Sequence, residues 1–293
     1  MKKVVVIVGP TASGKTALSV QIAKQINAEI INGDSVQVYQ GLNIGSAKIT
    51  DREKEGVKHH LLDIRHPSEL YTVYDFQKDA RALIETIERP MIVGGTGLYI
   101  QAALYDYEFE DEMAKKPSFL EQHQDLSNQE LYDKLLQLDP NIKIDVHNRR
   151  RLLRALEMAL SGILRSDKKR KDIPLYDLCI LYLDVDRKYL EERLHVRLDQ
   201  QLAQGFLDEV KQLSDQNIVL NMIGYREIHQ YLIGAIDEET MKRQIIKKTK
   251  LLAKRQKTWF KNQMRVHLLN ITDPNLEEQA LNIVEQFYKE ESS

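Results

Sequence analysis

The chain has 293 residues, of which 42% are hydrophobic and 29% are charged, so it is long enough for one large domain or two ordinary ones. This composition is typical of a protein with a buried core, and it excludes wholesale disorder. The single cysteine, Cys179, excludes an internal disulfide framework and zinc sites of the Cys₂His₂ or Cys₄ kind. No apolar run approaches the ~20 residues of a membrane helix, and the first apolar stretch ends at Gly9 and Pro10, too early for a signal peptide. We therefore expect a cytoplasmic protein without a membrane partner.

Short apolar runs alternate with helical patterns along most of the chain. Strands are predicted at residues 4–8, 29–31, 91–93, 178–183 and 266–269. Helices are predicted at residues 15–26, 72–88, 187–204 and 238–260. This alternation is typical of an α/β fold with a mostly parallel sheet.

The strand signal disappears between residues 108 and 171, where helical patterns cover residues 126–138 and 148–160. We therefore predict two domains. Residues 1–107 and 172–293 form an α/β core with basic C-terminal helices, and residues 108–171 form an inserted helical domain.

The formal net charge of −2 conceals an uneven distribution of charge. Residues 242–265 contain ten Lys or Arg and no acidic residue, and residues 149–171 contain nine Lys or Arg and two acidic residues. Such basic blocks on an acidic body can hold a polyanion locally, although solvated helix faces are the alternative. Trp259, Phe260 and several glutamines in the first block favour phosphate contacts combined with base stacking.

A phosphate-binding loop is predicted between the first strand and the first helix. The pattern G-x-x-x-x-G-K-[ST] is matched by Gly9, Pro10, Thr11, Ala12, Ser13, Gly14, Lys15 and Thr16. The glycines allow backbone N–H groups to surround an anion, Lys15 adds a positive charge, and the Thr16 hydroxyl can hold Mg²⁺. The loop itself recognises a di- or triphosphate. We therefore expect the α/β core that carries it to be P-loop NTPase-like.

The carboxylate that P-loop hydrolases place after a second apolar strand has no clear counterpart. Asp184 and Asp186 follow the strand at residues 178–183, but Asp186 is expected to cap the next helix. Asp34 follows the strand at residues 29–31, which we expect beside the first strand. Asp34 is therefore either a turn residue or a carboxylate that faces the ligand as a metal ligand or a base.

Seven further segments, distributed over nearly the whole chain, resemble the motifs of one protein family. They are residues 33–39 (GDSVQVY), 45–48 (GSAK), 59–63 (HHLLD), 93–99 (VGGTGLY), 151–157 (RLLRALE), 223–227 (IGYRE) and 253–260 (AKRQKTWF). Together with the phosphate loop, they resemble the bacterial tRNA dimethylallyltransferases. The loop alone is shared with many kinases, whereas the loop together with the last three segments is specific to this family.

The resemblance implies a reaction in which a dimethylallyl group moves from its diphosphate to the exocyclic N6 amine of the adenosine 3′ of the anticodon. Diphosphate is released, so no hydrolytic water is needed and the missing hydrolase carboxylate is explained. The implied partners are the tRNA anticodon stem-loop and dimethylallyl diphosphate, the implied cofactor is Mg²⁺, and a monomer is the simplest assembly. The target adenine must be flipped out of the stack.

The resemblance also implies roles for particular residues. Asp34 matches the presumed general base, while Lys15, Mg²⁺ on Thr16, and Arg197 match groups that stabilise the diphosphate. Residues implied to contact tRNA are Asp34, Ser35, Val36, Gln37, Thr96, Arg150, Arg151, Leu152, Leu153, Arg154, Lys254, Arg255, Gln256, Thr258 and Trp259. Ser35 and Gln37 are expected to recognise the adenine edge, because an amide pairs with its donor and acceptor.

Two alternatives remain open from the residues. A P-loop nucleotide or small-molecule kinase has nearly the same core, and a non-catalytic RNA-binding or nucleotide-switch protein also explains the basic blocks. Three features are interpreted as structural: the histidine pair at residues 59–60, the glycines at residues 94–97, and Cys179. Trp259 is either core packing or an RNA contact.

Overall fold

The computed structural model describes residues 1–107, 119, 122–166 and 173–290. Within them the chain divides into two compact units, Met1–Asp106 with Pro174–Ser293, and Tyr107–Ile173. The predicted boundary between residues 171 and 172, and the basic run at residues 168–171, lie outside the described residues.

A parallel sheet organises the first unit, which confirms the predicted α/β fold. Its strands are β1 (Lys3–Val8), β2 (Glu29–Asn32), β3 (His59–His60), β4 (Pro90–Gly94), β5 (Asp177–Asp184) and β6 (His267–Asn270). The order across the sheet is β3-β2-β4-β1-β5-β6, and every neighbouring pair is parallel. The two-residue strand β3 was not predicted because it is too short to show a pattern.

The expectation that β2 lies beside β1 is wrong. Strand β4 lies between them and pairs with both, with Met91 opposite Val5 and Ile30. The residues of β4 and β1 are almost all buried, as is typical of the centre of a parallel sheet covered on both faces. The loop after β2 still emerges at the carboxyl edge, where the Gly33 N–H donates to the Val93 carbonyl at 2.7 Å.

The helices, numbered along the chain, are α1 (Lys15–Ile26), α2 (Val73–Thr86), α3 (Gly97–Leu104), α4 (Asn128–Leu138), α5 (Arg149–Leu160), α6 (Arg187–Ala203), α7 (Phe206–Asp215), α8 (Tyr225–Leu232), α9 (Glu238–Gln263) and α10 (Leu276–Lys289). The predicted helices are confirmed to within a few residues, while α3, α7, α8 and α10 were not predicted. Asp186 caps α6 as expected, since its carboxylate accepts from the N–H groups of Lys188 and Tyr189. In the described part of the chain, no helix is both long and apolar enough to cross a membrane.

The core of the first unit lies on both faces of the sheet. Along β1, Val4, Val6 and Val8 face one apolar cluster, and Val5 and Ile7 face the other. This alternation follows from the two-residue period of a strand. All five side chains have no exposed surface, so the strand that precedes the phosphate loop is rigidly held.

The second unit packs helices α4 and α5 around its own small core. Leu152 is fully buried in that core, so its side chain packs between the helices and has no surface to offer RNA. The prediction that Leu152 contacts tRNA is corrected accordingly. Arg149 is also structural, because its guanidinium donates to the carbonyls of His123, Gln124 and Leu126 at 2.8, 2.9 and 2.6 Å.

Candidate active site at the carboxyl edge of the sheet

The phosphate loop connects β1 to α1 in the expected place. Gly14 adopts a left-handed conformation (φ 85°) immediately before the helix, which a residue with a side chain rarely adopts. Lys15 folds over the loop, and its Nζ donates to the carbonyls of Gly9 and Pro10 at 3.1 and 2.7 Å. The Ser13 hydroxyl is buried without a protein partner among the described residues, which suits a loop built to surround an anion.

A cavity of about 410 Å³ opens beside this loop. It is lined by all four predicted catalytic residues and by several of the predicted phosphate- and tRNA-contacting residues: Thr11, Lys15, Thr16, Asp34, Val36, Gln37, Arg197 and Gln256. These residues come from four separate regions of the chain. The cavity therefore brings a phosphate loop, a carboxylate and a second cation together in one site.

Asp34 is held in a tight turn after β2. Its N–H donates to Asn32 Oδ1 at 3.1 Å, and its own Oδ1 accepts from the Val36 N–H at 2.8 Å. Among the described residues, no protein donor engages the other oxygen, Oδ2. The sequence left two alternatives for Asp34, a turn residue or a carboxylate that faces the ligand. In the structure Asp34 holds the turn and also lines the cavity.

Two cations face this carboxylate. Burial lowers the pKa of Lys15 to about 8, although the negative charge of Asp34 opposes that shift. Burial likewise lowers the pKa of Arg197, and Asp34 again opposes it. Both cations therefore lie in a partly desolvated space, where a bound anion interacts with them more strongly than in water.

The lowered pKa of Lys15 predicts a pH-dependent anion affinity. Only the protonated amine attracts diphosphate, so we expect the affinity for inorganic diphosphate to fall as the pH rises through about 8. Titration calorimetry without metal ions at several pH values measures this. Lys15→Arg is the matched control, because arginine stays charged across this range and the ionisation of diphosphate affects both proteins equally. A parallel pH profile for the two proteins would contradict the prediction.

A site residue that was not predicted from the sequence is Arg193. It lies one turn before Arg197 on α6, and its Nε donates to the Ala12 carbonyl at 2.6 Å. Ala12 has a left-handed conformation (φ 62°), which is uncommon for a residue other than glycine. Arg193 therefore braces the tip of the phosphate loop. The i, i+4 spacing of the two arginines was the available signal.

Ser35 and Thr96 lie together next to the cavity. The Ser35 N–H donates to Thr96 Oγ1 at 3.2 Å, and the Thr96 hydroxyl donates to Ser35 Oγ at 3.3 Å. Gln256, on α9, reaches the same edge and donates from Nε2 to the Gly95 carbonyl at 2.8 Å. Its Oε1 is buried without a protein partner among the described residues.

The glycines at residues 94–97 permit close backbone approach, as interpreted from the sequence. A Cβ on Gly94 would lie 2.3 Å from the backbone of Gly33, and a Cβ on Gly97 would lie 2.4 Å from the ring of Trp259. Trp259 is half-buried, and its ring packs edge-on against Phe260. Packing against α3 is therefore established for this residue, while its contact with RNA stays a prediction.

The wall of the cavity away from the phosphate loop is largely apolar. It is formed by Leu194, Leu198, Phe206, Met222, Ile223, Ile245, Ile246 and Leu252. Such a wall is suited to contact with a hydrocarbon group. This wall was not predicted from the sequence, because its residues come from helices α6, α7 and α9 and from the segment before α8.

The remaining predicted positions lie on helix surfaces. Lys254, Arg255 and Thr258 are exposed on α9. In the second unit, Arg150 and Arg151 are exposed on α5, Leu153 and Arg154 are half-buried, and Arg154 pairs with Glu157 at 2.8 Å. The histidine pair is structural as interpreted, since His60 Nε2 contacts the Glu29 carboxylate at 2.6 Å across neighbouring strands.

Comparisons with known proteins agree on one family. The family model described as IPP transferase matches residues 37–263. A tRNA dimethylallyltransferase from Acholeplasma laidlawii is 50% identical over 98% of this chain and 99% of its own length. The crystal structure of a tRNA delta(2)-isopentenylpyrophosphate transferase from Staphylococcus epidermidis matches with a TM-score of 0.74 and 38% identity, over 99% of both chains. A eukaryotic dimethylallyltransferase, solved in structures of its action on tRNA, matches with a TM-score of 0.84 and 29% identity, over 99% of this chain and 80% of that chain. The chain belongs to the IPP transferase family.

Proposed function

We propose that this protein transfers a dimethylallyl group from dimethylallyl diphosphate to the N6 amine of the adenosine 3′ of the anticodon in tRNA, releasing diphosphate. The observation that carries this function is the shared cavity, which places a phosphate loop, the Asp34 carboxylate and an apolar wall together. The names of the relatives, which are tRNA dimethylallyltransferases, support the same reaction.

We assign the phosphate loop and two cations to the stabilisation of the leaving group, the diphosphate. As the allylic C–O bond breaks, negative charge grows on the diphosphate oxygens. Lys15, Arg197 and the loop residues Thr11 and Thr16 line the cavity, and we assign the two cations and the loop N–H groups to the stabilisation of that charge. The five-carbon group then lies along the apolar wall, which shields the developing carbocation from water.

We assign Asp34 to the deprotonation of the acceptor, the exocyclic amine of adenine. The exocyclic amine of adenine is a weak nucleophile, and it must lose a proton once it has formed the new C–N bond. Asp34 Oδ2, which no protein donor engages among the described residues, can accept that proton. The adenine reaches the cavity only if it is flipped out of the anticodon loop.

The residues of the cavity fit a magnesium ion that is bound mainly by the substrate. The described residues contain no group of three or more His, Cys, Asp or Glu that could hold a metal ion alone. Mg²⁺ commonly binds through substrate phosphates, water and one or two protein oxygens. The exposed hydroxyl of Thr16 lines the cavity and would hold it. When bound, Mg²⁺ supplies positive charge to the oxygens of the diphosphate.

The exposed cations of α9 and α5 are assigned to the phosphates of the anticodon stem-loop. Replacing Arg151 by alanine is expected to weaken stem-loop binding and to reduce the salt dependence of log Kd by about one. Filter binding at several salt concentrations measures this. Lys143→Ala is the matched control, since it removes one exposed charge from the same unit outside α5. An RNA affinity for Arg151→Ala equal to that of the control would remove Arg151 from the interface.

A transfer assay tests the proposed reaction against the kinase alternative. The protein is incubated with Mg²⁺, unmodified tRNA and either labelled dimethylallyl diphosphate or labelled ATP. Label from the allylic diphosphate is expected in the RNA, and ATP is expected to remain intact. Consumption of ATP without alkylated RNA would favour the kinase, and RNA binding with neither reaction would favour a non-catalytic binding protein.

A further inference from the structure

A loop of the first unit, residues 42–48, is held by a buried carboxylate far away in the sequence. Glu209, in the first turn of α7, is 9% exposed. Its Oε2 accepts from the N–H groups of Asn43 and Ile44 at 2.9 and 2.7 Å, and its Oε1 accepts from the Gly45 N–H at 3.0 Å. Three successive backbone donors therefore converge on one side chain.

Two further side chains add hydrogen bonds to this contact between Glu209 and the loop. The Tyr225 hydroxyl donates to Glu209 Oε1 at 2.7 Å, and burial beside that carboxylate raises the pKa of Tyr225, which keeps the hydroxyl protonated. Gln201 Nε2 donates to the carbonyls of Ile44 and Gly45 at 2.6 and 3.1 Å. Among the described residues, no Lys or Arg side chain pairs with Glu209. The buried carboxylate thus depends on these donors for its hydrogen bonds. All of those bonds form together in one conformation of the loop.

Packing fixes the same loop from its other side. A Cβ on Gly45 would lie 2.2 Å from the Phe206 ring and 2.7 Å from the Tyr225 ring. The backbone at Gly45 therefore lies directly against two aromatic rings. Hydrogen bonds set the orientation of the loop, and this contact sets its distance from α7 and α8.

The loop in turn orients Gln37, which lines the cavity beside Asp34. Gln37 Nε2 donates to the carbonyls of Ser46 and Ala47 at 3.2 and 3.3 Å. Because both contacts need a donor, they fix which end of the amide is nitrogen. The acceptor, Oε1, is then left for a ligand. Adenine presents an amine donor at position 6, whereas hypoxanthine presents a carbonyl acceptor there.

We propose that Glu209 is a positioning residue for base selection. It holds residues 42–48 so that their carbonyls fix the Gln37 amide, and the fixed amide accepts from the amine of the target adenine and disfavours a carbonyl at that position. Glu209 itself touches no reacting group. Because this role rests on the proposed function, transfer to tRNA by the unaltered protein is measured first, and its absence would overturn the function and the role together.

The test is the ratio of two RNA affinities. Anticodon stem-loops carrying adenosine or inosine at the target position are compared by filter binding. The unaltered protein is expected to prefer adenosine by about tenfold or more. In Glu209→Gln, the NH₂ group of the new amide faces a backbone N–H, and two donors cannot form a hydrogen bond. The loop is therefore released, and the ratio of the adenosine to the inosine affinity is expected to approach one. The affinity for inorganic diphosphate should not change, because the phosphate loop is held independently.

Four further variants separate positioning from a general loss of stability. Val284→Ala removes a fully buried side chain from α10, in the core cluster on the opposite face of the sheet, and its adenosine preference should stay unaltered. Gln37→Ala should lose the preference, and adding Glu209→Gln should cause no further loss. If Glu209→Gln does not fold, Gln201→Ala removes the donor to the Ile44 and Gly45 carbonyls and should lower the ratio. A folded Glu209→Gln or Gln201→Ala protein with the full adenosine preference would overturn the role.

Discussion

Asp34→Asn is expected to reduce the rate of dimethylallyl transfer by about 10²–10⁴-fold, the usual contribution of a general base. Asparagine has the same shape, and its Oδ1 can still accept from the Val36 N–H, so the turn after β2 is retained. The amide cannot take the proton that the adenine amine must lose. Single-turnover transfer with saturating substrates isolates this chemical step.

Binding measurements decide whether Asp34 acts in this way. The affinities of Asp34→Asn for the anticodon stem-loop and for inorganic diphosphate should stay within a few-fold of those of the unaltered protein. Loss of the negative charge that faces Lys15 and Arg197 should, if anything, strengthen diphosphate binding. Equal losses in RNA binding and transfer would contradict the assigned role and indicate that Asp34 only shapes the turn.

Replacing Arg197 by alanine is expected to slow transfer by about 10²–10³-fold, as for other removed donors that stabilise charge in a transition state. Arg197 lies in the cavity, where burial lowers its pKa and strengthens its effect on a bound anion. The charge on the diphosphate grows as the C–O bond breaks, so the rate should fall more than the diphosphate affinity.

Two variants on the same helix control this result. Arg197→Lys keeps the charge but not the planar fork of donors, and it should recover part of the rate. Arg187→Ala removes an exposed arginine from the start of α6 and should leave transfer unaltered. A rate for Arg197→Ala equal to that of Arg187→Ala would exclude Arg197 from leaving-group stabilisation.

Local patterns predicted the parts of the site that lie within one segment. The phosphate loop is contiguous, and its strand and helix flank it in the sequence, so Lys15 and Thr16 could be assigned directly. Asp34 was found because it follows a strand, although its strand is not beside β1. Strand order depends on which strand is buried on both faces, and this is decided by packing over the whole sheet.

Residues that act across long separations could not be predicted in this way. Glu209 contacts a loop about 165 residues earlier in the chain, and within its own helix it resembles any acidic residue of a first turn. Leu152 was misassigned for a different reason. The family resemblance implied RNA contact for the whole segment at residues 150–154. The apolar residues of α5 recur at helical spacing, Leu152, Ala155, Leu156 and Ala159, and this pattern indicates a core-facing side.

The identity of the alkylated nucleoside tests the central claim most directly. Unmodified tRNA is incubated with the protein, Mg²⁺ and dimethylallyl diphosphate, digested to nucleosides and analysed by mass spectrometry, while released diphosphate is quantified. We predict one N6-dimethylallyl adenosine per tRNA, one diphosphate released for each, and no product when the adenosine 3′ of the anticodon is replaced. Diphosphate release without an alkylated nucleoside, or alkylation that persists after that replacement, would contradict the proposed reaction.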